Sequence, residues 1–182
     1  GEPWQDAAGA DAKRAVSDLY LHLPQVRRAL ANIPTYMIFD DHDVTDDWNI
    51  RAEWSDAVLG TSMGRRIVRN GLSAYAVFQH WGNDPDGFAA DRPGGKLLAE
   101  LDGWGGTESL AATIDRVLPV PRSAAGLLAA SPERMTWSWH WHGASHHLIG
   151  LDCRTRRRLG PSECSLMTED DIDAVVGAAG PA

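Results

Sequence analysis

The stretch that most constrains the fold is a short apolar run, Tyr36-Met37-Ile38-Phe39, which follows Pro34 and stops at Asp40. Four consecutive apolar residues between a proline and a block of carboxylates have the length and composition of a buried strand. Such a strand needs cover on both faces, which helices supply, so the expected class is α/β with a sheet flanked by helices. Helical periodicity is present on either side of it. Residues 11–32 place Val16, Leu19, Tyr20, Leu23, Val26 and Leu30 on one stripe, expected to be buried, with Pro24 kinking the helix or opening a second one. Residues 64–81 put Ile67, Val68, Leu72, Tyr75, Phe78 and Trp81 on a common face and leave Arg65, Arg66 and Arg69 largely off it.

From residue 82 to 106 the chain turns to Gly, Pro and Asp, which reads as a long loop with one short helix at 96–101. A helix follows at 108–118, with Thr107 as N-cap and Leu110, Ile114 and Val117 as its stripe. Residues 134–142 alternate: Met135, Trp137, Trp139 and Trp141 on one face, Thr136, Ser138, His140 and His142 on the other. A turn at 143–145 returns the chain into 147–152, which makes a β-hairpin with a buried Trp face. A three-residue turn sets His142 opposite His146 with His140 alongside, a trio that could bind zinc in an open site. The reading adopted is that these histidines form the wet side of a half-buried sheet. Thr168, with Asp171 three residues on, caps a last helix to Val176.

Composition narrows the function classes. With 43% hydrophobic and 23% charged residues among 182, the chain has the balance of one soluble globular domain. A formal net charge of -8 argues against a general nucleic-acid partner, since phosphate backbones are held by Lys and Arg. The two cysteines, Cys153 and Cys164, form neither a CxxC pair nor a disulfide framework. No apolar run reaches the roughly 20 residues that span a bilayer, and no signal-peptide pattern opens the chain.

The densest chemistry lies between residues 40 and 49, where Asp40, Asp41, Asp43, Asp46 and Asp47 surround His42 directly after the apolar run. Carboxylates at the C-terminal end of a buried strand are placed to reach an active-site crevice. Hard cations take oxygen ligands, and a neighbouring imidazole can protonate a leaving alkoxide. On the residues alone, an acidic turn that caps helices remains equally open.

The run Ile33-Pro34-Thr35-Tyr36-Met37-Ile38-Phe39-Asp40-Asp41-His42-Asp43-Val44-Thr45-Asp46-Asp47-Trp48-Asn49 resembles the hallmark stretch of PhoD-like alkaline phosphatases, a branch of the calcineurin-like metallophosphoesterases. Leu19-Tyr20-Leu21, Gly64-Arg65-Arg66-Ile67-Val68-Arg69-Asn70 and Trp81-Gly82-Asn83-Asp84-Pro85 fit the same family in the same order. Leu151-Asp152-Cys153-Arg154-Thr155-Arg156-Arg157 is similar to its Leu-Asp-Thr-Arg-Thr-x-Arg, with Cys153 in place of a threonine. The resemblance implies Asp41 as a metal ligand, His42 as general acid and Asp43 as the residue orienting its imidazole, while Asp40 stands where the superfamily has glycine. Arg154 is the candidate for a substrate phosphate; the competing reading is an internal Asp152–Arg154 ion pair that shapes its loop.

The resemblance also implies the rest. The activity is hydrolysis of small-molecule phosphoric esters, and the cofactors are a calcium and iron pair. The domain is one partial metallophosphoesterase domain over residues 1–182, with a helical and loop insertion at about 83–130. The family's earlier Asp-rich and Gly-Asp motifs, and its later histidine motifs, have no counterpart before Ile33 or after Arg158. The expectation is therefore an internal portion of a longer enzyme. Two alternatives come from other classes: a non-catalytic structural or interaction module, and a zinc site built on the hairpin histidines.

Overall fold

Met37 shows how this chain replaces a sheet with side chains. In the computed structural model the run 36–39 takes no regular secondary structure and Phe39 is buried, and no strand pairs with it among the described residues. The Met37 N–H donates to Asn83 Oδ1 at 3.1 Å, and its carbonyl accepts from Asn83 Nδ2 at 2.6 Å. Tyr75 Oη, at 2.9 Å, and Trp139 Nε1, at 3.3 Å, donate to the same carbonyl. The Asn83 amide thus makes the pair of bonds that a neighbouring peptide makes in a ladder, which settles polar groups otherwise costly to bury. The expected strand is corrected on this point: the segment is half-buried, with Phe39 alone fully inside, and side chains rather than a neighbouring strand hold it.

The structure describes residues 3–105, 109–118, 120–123, 131–160 and 164–180. They fall into two compact units, Gly1–Tyr36 and Met37–Ala182. The first is a single helix, α1 (Pro3–Leu30), which continues through Pro24, where a kink or a second helix was expected. A lone helix has nothing within its own unit to bury a stripe against, and Val16, Leu19, Tyr20, Leu23, Val26 and Leu30 are exposed.

The second unit contains the core. It opens on α2 (Ala52–Leu59) and α3 (Ser62–Tyr75), joined where the Thr61 hydroxyl accepts from Gly64 N at 3.0 Å as an N-cap. A β-carbon on Gly64 would sit 2.1 Å from the Val58 carbonyl, so only glycine lets the two helices meet this closely. α3 continues into a π-helical turn, Ala76–His80, and α4 (Trp81–Asn83). This turn corrects the expected face. Each π turn adds about one residue to the helical period and rotates the residues beyond it. His80 and Asn83 are therefore buried, while Phe78 and Trp81 face out.

A 3₁₀ turn, Pro85–Phe88, leads to α5 (Pro93–Asp102), which starts earlier than the short helix expected at 96–101 and has Pro93 in its first turn. α6 (Ser109–Val117) buries Ile114 and Val117; the expected cap at Thr107 and the side chain of Leu110 lie outside the described residues. Arg69 pairs with Asp115 at 2.7 Å and ties α3 to α6.

β1 (Trp139–His142) and β2 (His147–Gly150) form the antiparallel hairpin, and β3 (Arg158–Leu159) pairs with β4 (Cys164–Ser165). Trp137 and Trp139 are buried, but Trp141 at the turn end is 40% exposed, so the Trp face sinks only at its base. α7 (Glu169–Ala179) begins at Thr168, whose hydroxyl accepts from Asp171 N at 3.1 Å, as the capping pattern predicts. The class is mixed helix and sheet, with the described strands in two small antiparallel pairs.

At the centre of this unit Phe39 meets Trp48, Tyr75 and Trp137 edge to face, with centroids 5.0, 4.6 and 5.8 Å away. Aromatic pairs in this geometry add to the area they bury. The acidic block starts at the very next residue, so the core holds the base of that loop.

Candidate functional site

Between Phe39 and α2 the chain makes a loop whose main chain is tied by its own carboxylates. Asp43 Oδ2 accepts from Asp40 N and Asp40 Oδ1 accepts from His42 N, both at 2.8 Å. Trp48 N donates to the Asp41 carbonyl at 3.0 Å and closes the loop. Asp47 and Asn49 have φ of 57° and 54°, the left-handed region that Asp and Asn tolerate better than most residues. These two turns bracket Trp48 and drive its indole into the core.

A second loop supplies the cation. Asp152 is buried, 1% exposed, and its Oδ1 accepts from Arg154 N at 3.1 Å and Thr155 N at 2.8 Å. The Thr155 hydroxyl also donates to Asp152 Oδ2. Burial pushes the Asp152 carboxyl above the usual range, against the pull of these donors. Asp152 is therefore the post around which residues 152–155 turn. The expected Asp152–Arg154 ion pair is corrected: Asp152 takes the backbone N–H of Arg154, and the guanidinium goes elsewhere.

It goes to Asp41. Arg154 Nη2 donates to Asp41 Oδ1 at 3.0 Å, and Nη1 reaches the Trp48 carbonyl at 3.5 Å. The Arg154 carbonyl accepts from Asn49 Nδ2 at 2.5 Å, and Asn49 Oδ1 accepts from the fully buried Ser55 hydroxyl. α2, the acidic loop and the 152–155 turn are thus locked through one asparagine.

His42 lies on the outer side of the cluster and is mostly exposed. Its Nε2 is 3.4 Å from Asp41 Oδ2 and its Nδ1 is 2.8 Å from Asp46 Oδ1. The place expected for Asp43 beside the imidazole is taken by Asp46, four residues on, because Asp43 is turned back to the Asp40 N–H. Asp41, His42 and Arg154 are brought together; Asp43 supports the loop from below.

Sequence patterns do not single out Asn49, Ser55 or Asp46. Asn49 carries one usable signal, an Asp-Trp-Asn triplet whose polar residues suit positive φ on either side of a tryptophan that must turn inward.

A cavity of about 690 Å³ lies on another side of the same supports, lined by Trp48, Asn49, Trp139, Asp152 and Arg156 among others. Asp41, His42 and Arg154 do not line it.

Of the ligands for the calcium and iron implied by the resemblance, the chain's candidate is Asp41, and its Oδ1 is engaged by Arg154. Among the described residues no group of three or more His, Cys, Asp or Glu side chains could hold a metal ion. The donor set of these residues does not fit a complete metal centre. No described helix is long and apolar enough to cross a membrane. Compared with known proteins, the chain matches no family model, no curated protein and no solved structure.

Proposed function

We propose that this chain contributes to the hydrolysis of small-molecule phosphoric esters, in a metal-dependent phosphatase or phosphodiesterase of the PhoD-like kind. The observation that supports the reading is the convergence of Arg154 on Asp41, beside His42, across a separation of 113 residues. A planar guanidinium and a carboxylate, both part-buried, beside an exposed imidazole are the side chains a phosphoryl-transfer site uses.

With Nη2 on Asp41 and Nη1 toward the Trp48 carbonyl, Arg154 offers a phosphate its remaining guanidinium N–H groups, in a planar geometry lysine cannot reproduce. Its carbonyl is held by Asn49 and its own N–H by Asp152, so the fork is positioned before substrate arrives. His42, its ring nitrogens facing Asp41 and Asp46, donates a proton to the leaving oxygen. Asp41 is the donor this loop offers to a metal ion, and the remaining ligands would have to come from elsewhere.

Two measurements test the proposal. Titration of the 182-residue chain with inorganic phosphate should shift the His42 ring resonances, and Arg154→Ala should abolish that shift while Arg154→Lys weakens it. The isolated chain should not turn over an aryl phosphate, because one carboxylate cannot fix an attacking oxygen in line. In a longer polypeptide that supplies the remaining ligands, His42→Ala should slow alkyl esters far more than nitrophenyl esters, whose leaving group departs without a proton. Phosphate titration without effect on His42, or equal losses on both esters, would sink the assignment.

A further inference from the structure

The hairpin register departs from the sequence expectation in a way that changes its chemistry. His142 pairs with His147, not with His146. Gly143 N donates to the His146 carbonyl at 2.8 Å, so the loop between the strands spans residues 143–146. The slip carries the His146 ring to the tryptophan side, 5.7 Å from Trp141, and brings His147 onto the face of His140 and His142. Cross-strand partners beside a hydrogen-bonded pair approach closely. Here the ring centroids of His142 and His147 are 4.2 Å apart, and His142 Nδ1 lies 3.1 Å from His147 Nε2.

That nitrogen separation is the bite of a metal chelate. With metal–nitrogen bonds of about 2.0–2.1 Å, two imidazoles on one ion stand about 3.3–3.4 Å apart at the tetrahedral angle and about 2.9 Å at a right angle. The observed 3.1 Å lies between the two limits, so an ion can take the place of the hydrogen bond once the rings turn their lone pairs toward it.

We propose that the β1–β2 hairpin binds a transition-metal ion through His142 Nδ1 and His147 Nε2, with water in the remaining positions. On binding, the ring that donates the hydrogen bond moves its proton to its other nitrogen, and both facing lone pairs go to the metal. The facing residue across from His140 is Ile149, which adds neither a competing cation nor an oxygen donor. Two nitrogens and no carboxylate select copper(II), zinc or nickel, with copper(II) tightest, and reject calcium and magnesium. Because the ligands come from both strands, the ion staples the hairpin. This inference stands apart from the Asp41–His42 reading.

Calorimetric titration of the full chain with copper(II) or zinc salts, together with the visible spectrum of the cobalt(II) form, tests it. One ion per chain is expected. His142→Ala and His147→Ala should each weaken binding by about tenfold or more, while Asp41→Asn and His42→Ala leave it unchanged. These histidines lie at or near the surface, and His147→Gln with circular dichroism guards against a folding artefact. The proposal is overturned by the absence of stoichiometric binding. It is equally overturned if affinity survives in the His142→Ala, His147→Ala double variant, or is lost with Asp41→Asn or with His146→Ala in place of His147→Ala.

Discussion

His80 illustrates how one residue can set a pH limit on the fold. The residue is 2% exposed, and Tyr75, Phe88 and Trp137 surround its ring with centroids 5.8, 6.1 and 5.2 Å away. Nδ1 has no hydrogen-bond partner among the described residues. Burial depresses its proton affinity below the ordinary value of 6.5, only partly offset by Asp84 and the Thr136 backbone. The unfolded chain therefore takes up this proton first as pH falls, and the folded chain only at lower pH. The stability linked to His80 is complete above 6.5 and is lost as pH falls from there toward the folded-state value. Urea midpoints measured from about pH 7.5 to about pH 5.5 should decline in the parent chain and decline less in His80→Phe. Parallel declines would show that His80 is not the group responsible. Asp171, which Arg156 and Thr168 hold below the usual carboxylate range despite its burial, acts with the same sign at more acidic pH and is common to both proteins.

At the scale of elements, two glycines of one helical run should respond oppositely to the same change. Gly64→Ala drives a methyl into the Val58 carbonyl, and backbone cannot give way cheaply, so a loss of about 1–3 kcal/mol is expected. Gly82→Ala meets nothing within 4 Å and removes backbone freedom from the unfolded chain, so it should be neutral or stabilise by up to about 1 kcal/mol. Denaturant midpoints of the two variants decide this; equal losses would mean that α2 and α3 are not in contact as described. α2 was not read from the sequence; α3 was legible in it, because apolar residues three and four apart declare a face. The π turn at Ala76–His80 was not, since nothing local marks the added residue, and the face beyond it was misassigned to Phe78 and Trp81.

Across the whole molecule, the buried core lies within Met37–Ala182. A chain of residues 37–182 should keep the near-ultraviolet circular dichroism of the Phe39, Trp48, Tyr75 and Trp137 cluster and a cooperative urea transition. Loss of both would show that α1 is needed for the core to form.

The sequence alone determined where most helices lie, and that a carboxylate-rich loop with His42 follows Phe39 at once. Each depends on interactions within a few residues, and these act alike in any compact state. Tertiary structure decided what pairs with Met37, which residue faces the His42 ring, where Arg154 points and which histidines meet across the hairpin. Those outcomes rest on contacts between distant segments, whose geometry depends on how the Phe39 cluster packs and on how two loops are pinned by Asn49 and Asp152. A pattern of residue types records that a carboxylate and a guanidinium exist; only a packed core fixes the 3.0 Å between them.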